Sequence, residues 1–142
     1  MKRVERYPEG YLVINLTYRT SLILKRTPEK GGFWQPISGG IEKGENTYDT
    51  IKREVFEETG IQDIKNIFDL DYTFTFKAPI SRKWMRDICF AAEIDNLFDV
   101  ILSNEHDEYR WCNEKEAKKL LKWKHNLIAL YKLLKVVRNS RF

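Results

Sequence analysis

Three glutamates, Glu54, Glu57 and Glu58, fall at positions i, i+3 and i+4 of the run REVFEE. On a helix turning about 100° per residue, these positions share one face. Carboxylates held together there repel one another and raise their own pKa values. A hard divalent cation resolves that repulsion, because Mg²⁺ favours a few carboxylate oxygens completed by water and phosphate oxygens. Glutamate is also a good helix former, and many Glu-rich helices are simply wet surface with Lys or Arg partners. The run by itself does not choose between these readings.

The elements that must position these carboxylates can be read from pattern. The spacing predicts a helix from about Thr47 to Thr59, stopped by Gly60. Tyr48, Ile51 and Val55 form a stripe beside the acidic edge, so one side docks on a sheet and the other is partly wet. Residues 11–26 read as two strands around a polar turn, and 27–40 as a loop by its prolines and glycines, carrying Phe33 and Trp34 near the surface. Residues 64–78 and 84–94 read as two long strands joined by a loop at Pro79, and 108–112 as a short strand. From Asn113, a fitting N-cap, Ala117, Leu120, Leu121, Leu127, Ile128, Leu130, Tyr131, Leu134 and Val137 recur at helical steps, with a bend expected at 123–126. The order β-β-α-β-β-β-α implies an α/β fold, a mixed sheet with helices over its faces.

Bulk properties set the class. At 142 residues, with 42% hydrophobic and 32% charged positions, the chain suits one packed domain, 1–142. No run approaches a membrane span and the start lacks the apolar core of a secretory signal, so no membrane partner and a cytoplasmic location are expected. Cys89 and Cys112 show no metal spacing and are expected to be buried as small hydrophobes. The net charge of +4 favours anionic partners, although the late lysines read first as the wet face of two helices.

Beyond the acidic run, the spacing becomes specific. Gly39, five residues, Glu45, seven residues, Arg53-Glu54-Val55, one residue, Glu57-Glu58, one residue and Gly60-Ile61 together resemble the Nudix box, spanning 39–61. Such a match should arise by chance on the order of once in a billion placements. The resemblance implies a Nudix α/β/α sandwich with a mixed β-sheet. It implies that Glu54, Glu57 and Glu58 bind catalytic Mg²⁺ or Mn²⁺, with the Gly39 carbonyl as a further ligand. Arg53 is then the arginine that orients a box glutamate, with Glu45 as its candidate partner, and Gly60 closes the helix. A carboxylate must take the proton of the attacking water. Glu57 or Glu58 is the first candidate, and Glu105, in the segment LSNEHDEYRW, the second. His106 in that segment reads as a hydrogen-bonding residue, and His125 as structural.

The box does not name the group attached to the pyrophosphate. The segments FWQPISGGIEKGE, EHDEYRW and KWKHNLIAL resemble the dihydroneopterin triphosphate and dATP pyrophosphohydrolase branch, which implies a (d)NTP-like substrate cut to a monophosphate and pyrophosphate. The alternative is the diadenosine tetraphosphate hydrolase or RNA 5′-pyrophosphohydrolase group. An ADP-ribose hydrolase is disfavoured, because Pro79 falls slightly too far past the box. Phe33 and Trp34 are candidates to stack on the ring, ahead of Tyr72, Phe74 and Phe76, and Lys25 and Arg26 to reach the phosphates. A catalytically silent domain that binds nucleotide or RNA through its basic helices is a third reading. No DNA partner is expected, an RNA 5′ end remains open, and some relatives dimerise, so a homodimer does too.

Overall fold

A computed structural model describes residues 9–17, 20–78, 81–94 and 99–140. The Pro79 loop and the Val137 side chain lie outside what is described. The strands are β1 (Glu9–Thr17), β2 (Thr20–Arg26), β3 (Trp34–Gln35), β4 (Ile37–Gly40), β5 (Asn66–Lys77), β6 (Trp84–Glu93) and β7 (His106–Cys112). The helices are α1 (Thr47–Thr59), α2 (Glu114–Leu120) and α3 (Lys124–Ser140).

The central path runs β3-β2-β1-β6-β5, with β4 also on β1 and β7 also on β2. β1 and β6 run parallel, from Glu9 opposite Arg86 to Leu16 opposite Glu93, and the remaining pairs are antiparallel. The sheet is therefore mixed. Alternation along β2 and β6 sends successive side chains to opposite faces, and both faces are dry. Leu22, Leu24, Phe90 and Ala92 pack with Ile37, Ile51 and Val55 on the α1 side. Ile23, Cys89 and Ala91 pack with Ala117, Leu121, Leu130 and Leu133 under α2 and α3. Burying each large aliphatic side chain contributes about 1.5–3 kcal/mol. Both cysteines are buried and free, as expected. No helix among the described residues is long and apolar enough to cross a membrane.

Several expectations are corrected by the sheet. The segment 27–40 holds a 3-10 turn at Pro28–Lys30 and two short strands as well as loop. Pro36, which has no N–H to give a ladder, separates them. β4 pairs Gly39 with Tyr11 and Gly40 with Gly10, so the glycines are ladder residues. Phe33 and Trp34 are consequently half-buried. The strand expected at 108–112 begins at His106. Tyr48 is 56% exposed and Tyr131 59%, so neither belongs to its apolar stripe. On α1, Thr50, Glu54 and Glu58 take burial alongside Ile51 and Val55, turning the docked arc toward the carboxylates. Two helices do divide this stretch, but the break falls at 121–123 rather than 123–126, whose last three residues already belong to α3, and α2 opens on a capping box between Asn113 and Glu116.

Candidate active site

α1 is fixed at both ends by its own sequence. The Asn46 side chain accepts from the Asp49 N–H at 2.9 Å, a cap contributing about 1 kcal/mol. Gly60, at φ 78°, donates its N–H to the Phe56 carbonyl at 2.8 Å and ends the helix as expected. Between these ends the helix lies on β4, and the Glu54 carboxylate rests on Gly39. A methyl group at Gly39 would overlap that carboxylate and push the Glu54 side chain aside.

Arg53 organises the acidic edge. Its Nε and Nη2 donate to the two oxygens of Glu45 at 2.7 and 3.0 Å, a bidentate fork. Nη2 also donates to the Gly40 carbonyl at 2.8 Å, while Nη1 donates to Oε1 of Glu54 at 2.6 Å and of Glu57 at 3.2 Å. Glu45 accepts further from the Glu42 N–H and the Thr50 hydroxyl, at 3.0 and 2.8 Å. The hydrogen bond from Arg53, above all, holds the Glu45 carboxyl down at about 2. Glu45 is thus occupied in orienting Arg53.

Glu58 is held from the other side of the site. Its Oε1 accepts from the Ser103 hydroxyl at 2.8 Å and from His106 Nδ1 at 2.9 Å. The Gln35 amide nitrogen stands 3.3 Å from His106 Nε2, and donation from that amide places the imidazole proton on Nδ1. Burial pushes the Glu58 carboxyl up, but the bonds from His106 and Ser103 outweigh it and leave it below its ordinary value. Glu54 goes the other way. Burial, helped by repulsion from Glu57 and Glu58, lifts it to about 7 against the pull of Arg53. Neighbouring carboxyls are driven apart in pKa, a pattern typical of functional sites.

Glu54, Glu57 and Glu58 line one groove of about 370 Å³ with Gly39, Arg26 and Glu105. Each of the three has Oε1 tied to a donor, while among the described residues Oε2 carries no such bond. Outer partners that fix one oxygen and leave the second are what an oxygen-ligated cation requires. Among the described residues, no three such groups close tightly enough to enclose an ion by themselves. Mg²⁺ takes water and substrate oxygens into its shell alongside carboxylate oxygens. The donor set, all hard oxygen, fits the implied metal.

A second hollow of about 280 Å³ adjoins the groove and is lined by Phe33, Phe74, Phe76, Trp123, His125 and Asp87, among others. His125 stacks on Phe74, with centroids 4.3 Å apart and planes at 7°, and shares a 2.8 Å hydrogen bond with the Tyr72 hydroxyl. Trp123 meets Phe33 edge-on at 5.7 Å.

The structure brings most of the expected residues together. Gly39, Glu54, Glu57, Glu58, Arg26 and Glu105 share the groove, with Arg53, Glu45 and Gly60 supporting it, and Phe33 lines the adjoining hollow. Glu105 sits in a turn whose carbonyl accepts from the Thr27 N–H at 3.1 Å. Lys25 and Trp34 line neither hollow. Lys25 pairs with Trp34 and Glu108 across the sheet, and the Trp34 ring lies 5.0 Å under the Arg110 guanidinium. Phe74 and Phe76, ranked behind Phe33 and Trp34 from sequence, line the hollow, as do His125, Trp123, Asn126 and Gln35. Asp87 also went unnoticed, and its only signal was one acid inside the strand WMRDICF.

Comparison with known proteins agrees with this geometry. The family model described as NUDIX domain matches residues 7–134. A solved structure of a Nudix hydrolase from Listeria monocytogenes is 30% identical, superposes with a TM-score of 0.79, and the match covers 94% of this chain and 96% of that one. Among curated relatives, an octanoyltransferase of Myxococcus xanthus is 35% identical over 94 residues, 65% of this chain and 26% of its own length. An asymmetrical bis(5′-nucleosyl)-tetraphosphatase of Mus musculus is 31% identical over 97 residues, 64% of this chain and 63% of its length. This chain therefore spans less than two thirds of either protein. A dihydroneopterin triphosphate diphosphatase of Haemophilus influenzae is 27% identical over 138 residues, 89% of this chain and 87% of its length. A complete box from β4 through α1, an α/β/α sandwich and a family match over most of the residues lead to one conclusion: the chain belongs to the Nudix hydrolase family.

Proposed function

We propose that this chain, as one Nudix domain, is a Mg²⁺-dependent pyrophosphohydrolase of nucleoside triphosphate-like substrates, (d)NTP or dihydroneopterin triphosphate, releasing a monophosphate and pyrophosphate. One observation carries the reading: the acidic groove opens directly into an aromatic hollow, and Ser38, Phe76 and Asp87 line both. That arrangement fits a substrate with a polyanionic end and a flat ring. Gly39, Glu54, Glu57 and Glu58 would hold Mg²⁺, or Mn²⁺ in its place. When bound, that ion would supply positive charge against the phosphates and lower the pKa of a bound water.

The chain's own groups do the rest. Arg53 keeps Glu54 and Glu57 in place, and Ser103 and His106 keep Glu58 ionised. A carboxyl held below its ordinary pKa is a good ligand and a poor proton acceptor. Glu57, whose side chain is 51% exposed, is therefore our first choice to take the proton of the attacking water, with Glu105 second. Arg26, on the groove wall, supplies positive charge toward the phosphates. A cytoplasmic setting accords with two free, buried cysteines.

The second reading, diadenosine polyphosphate hydrolysis, draws on the murine tetraphosphatase relative. The hollow of about 280 Å³ suits a flat ring under either reading. Incubation with Mg²⁺ and dNTPs, dihydroneopterin triphosphate, diadenosine tetraphosphate and 5′-triphosphorylated RNA tests both. Pyrophosphate release from a triphosphate is expected. Turnover of diadenosine tetraphosphate to ATP and AMP with triphosphates untouched would install the second reading, and no turnover at all would leave a silent binding domain.

A further inference from the structure

Asp87 stands where the acidic groove meets the aromatic hollow and lines both. It lies opposite Phe74 in the β5–β6 ladder, so its side chain is on the sheet face that carries the aromatic rings. It is 6% exposed, and no described residue gives it a hydrogen bond or an ion pair. Burial alone pushes its carboxyl up to about 7. Its carboxyl borders both hollows without a described donor, so a ligand that brings donors can reach it.

The order of groups in the proposed substrates says which donors those are. A triphosphate joins its ring through a sugar or an open polyol chain. With phosphates in the groove and the ring in the hollow, that linker crosses the junction. A hydroxyl of the linker donates and a carboxyl accepts, the chemistry by which an acidic residue reads a ribose. We infer that Asp87 is a specificity-determining residue that accepts hydrogen bonds from the hydroxylated linker, selecting ribose or open-chain polyol triphosphates over 2′-deoxy ones. The inference rests on the triphosphate reading above and narrows it.

The test compares ATP with dATP, and GTP with dGTP, by kcat/KM in the wild type, Asp87→Ala and Asp87→Asn. Calorimetry with the α,β-methylene analogues of ATP and dATP reads binding without cleavage. A hydrogen bond to a carboxylate predicts a wild-type preference for the ribonucleotide of about tenfold or more. The ratio should fall to about one in Asp87→Ala, mainly through KM, and be intermediate in Asp87→Asn, which keeps one accepting oxygen. Equal use of ribo and deoxy substrates by the wild type, or a ratio that survives Asp87→Ala, overturns the inference. So does a tenfold loss of Mn²⁺ affinity in Asp87→Asn, which would make Asp87 a metal ligand. The two readings fail separately. Hydrolysis without ribose preference sinks only the role of Asp87, whereas analogue binding with that preference but no hydrolysis sinks only the enzyme. Absence of both binding and turnover sinks both. The wild-type ratio keeps the inference open to refutation even if a variant folds poorly.

Discussion

The acidic groove and the aromatic hollow touch, yet they are assembled in opposite ways. The charged floor of the groove comes from one stretch, Gly39 to Glu58, in which a single arginine binds the oxygens of Glu45, Glu54 and Glu57. The hollow gathers Phe33, Phe74, Asp87 and Trp123 from four separate places in the chain. The groove is locked by charge-assisted hydrogen bonds, and the hollow by ring contacts and burial. A local, charged network should tolerate little change, whereas a wall of rings should yield by degrees.

The largest effects should come from the groove. Glu57→Gln and Glu58→Gln are each expected to lower kcat by about a hundredfold or more while thermal denaturation still shows a folded protein. Near-normal turnover in both would erase the contrast between the two regions. Glu105→Gln tests the second candidate base: if Glu105 takes the proton, Mn²⁺ binding is kept while kcat and its acid limb change, and an unaltered pH–rate profile returns it to holding a loop.

Next comes the orienting arginine. Arg53→Lys keeps the charge but loses the fork on Glu45, and should cost about 10–100-fold in activity and in Mn²⁺ affinity measured by calorimetry. The hollow should be gentler. Trp123→Ala removes one exposed aromatic wall and is expected to raise KM about three- to tenfold with kcat little altered. A collapse of kcat instead would show that the hollow also positions the scissile phosphates.

The smallest effect is one of pH on stability without metal. Glu45 is depressed to about 2, so its stabilisation is complete above its unfolded value of 4.5 and fades as pH falls toward 2. Asp87 is raised from 3.8 to about 7, so the folded state binds its proton more tightly, and stability is lost as pH rises through that window. In EDTA, Asp87→Asn should therefore raise Tm by about 5 °C at pH 8 and change it little at pH 3, whereas Glu45→Gln should lower Tm at pH 6 and matter less at pH 2. The same shift at both pH values would mean that packing, not ionisation, decides.

How far each region could be read in advance follows the same divide. The α1 cap, the Gly60 stop, the three carboxylates and the Arg53–Glu45 pair lie close together in the chain between Gly40 and Gly60, where helix spacing and a short preceding loop largely fix who meets whom. The strand order of β2, β5 and β6 was visible in apolar and β-branched runs. The two short strands around Pro36 were not, because a strand of two to four residues takes its identity from the partner it pairs with. Nor was the loss of Lys25 and Trp34 from the site, since a residue's sheet face depends on register and a bulge lies between Lys25 and Arg26.

The sequence by itself determined the family, the acidic helix and its orienting arginine, because those rest on local spacing and on charges with a single way to be satisfied. Tertiary structure alone decided that Glu58 answers to His106 and Ser103, that Phe74, His125 and Trp123 share a wall, and that Asp87 borders both hollows at their junction. Those facts depend on contacts between residues tens of positions apart, and no periodicity in the chain encodes which distant strand or helix closes over a given side chain.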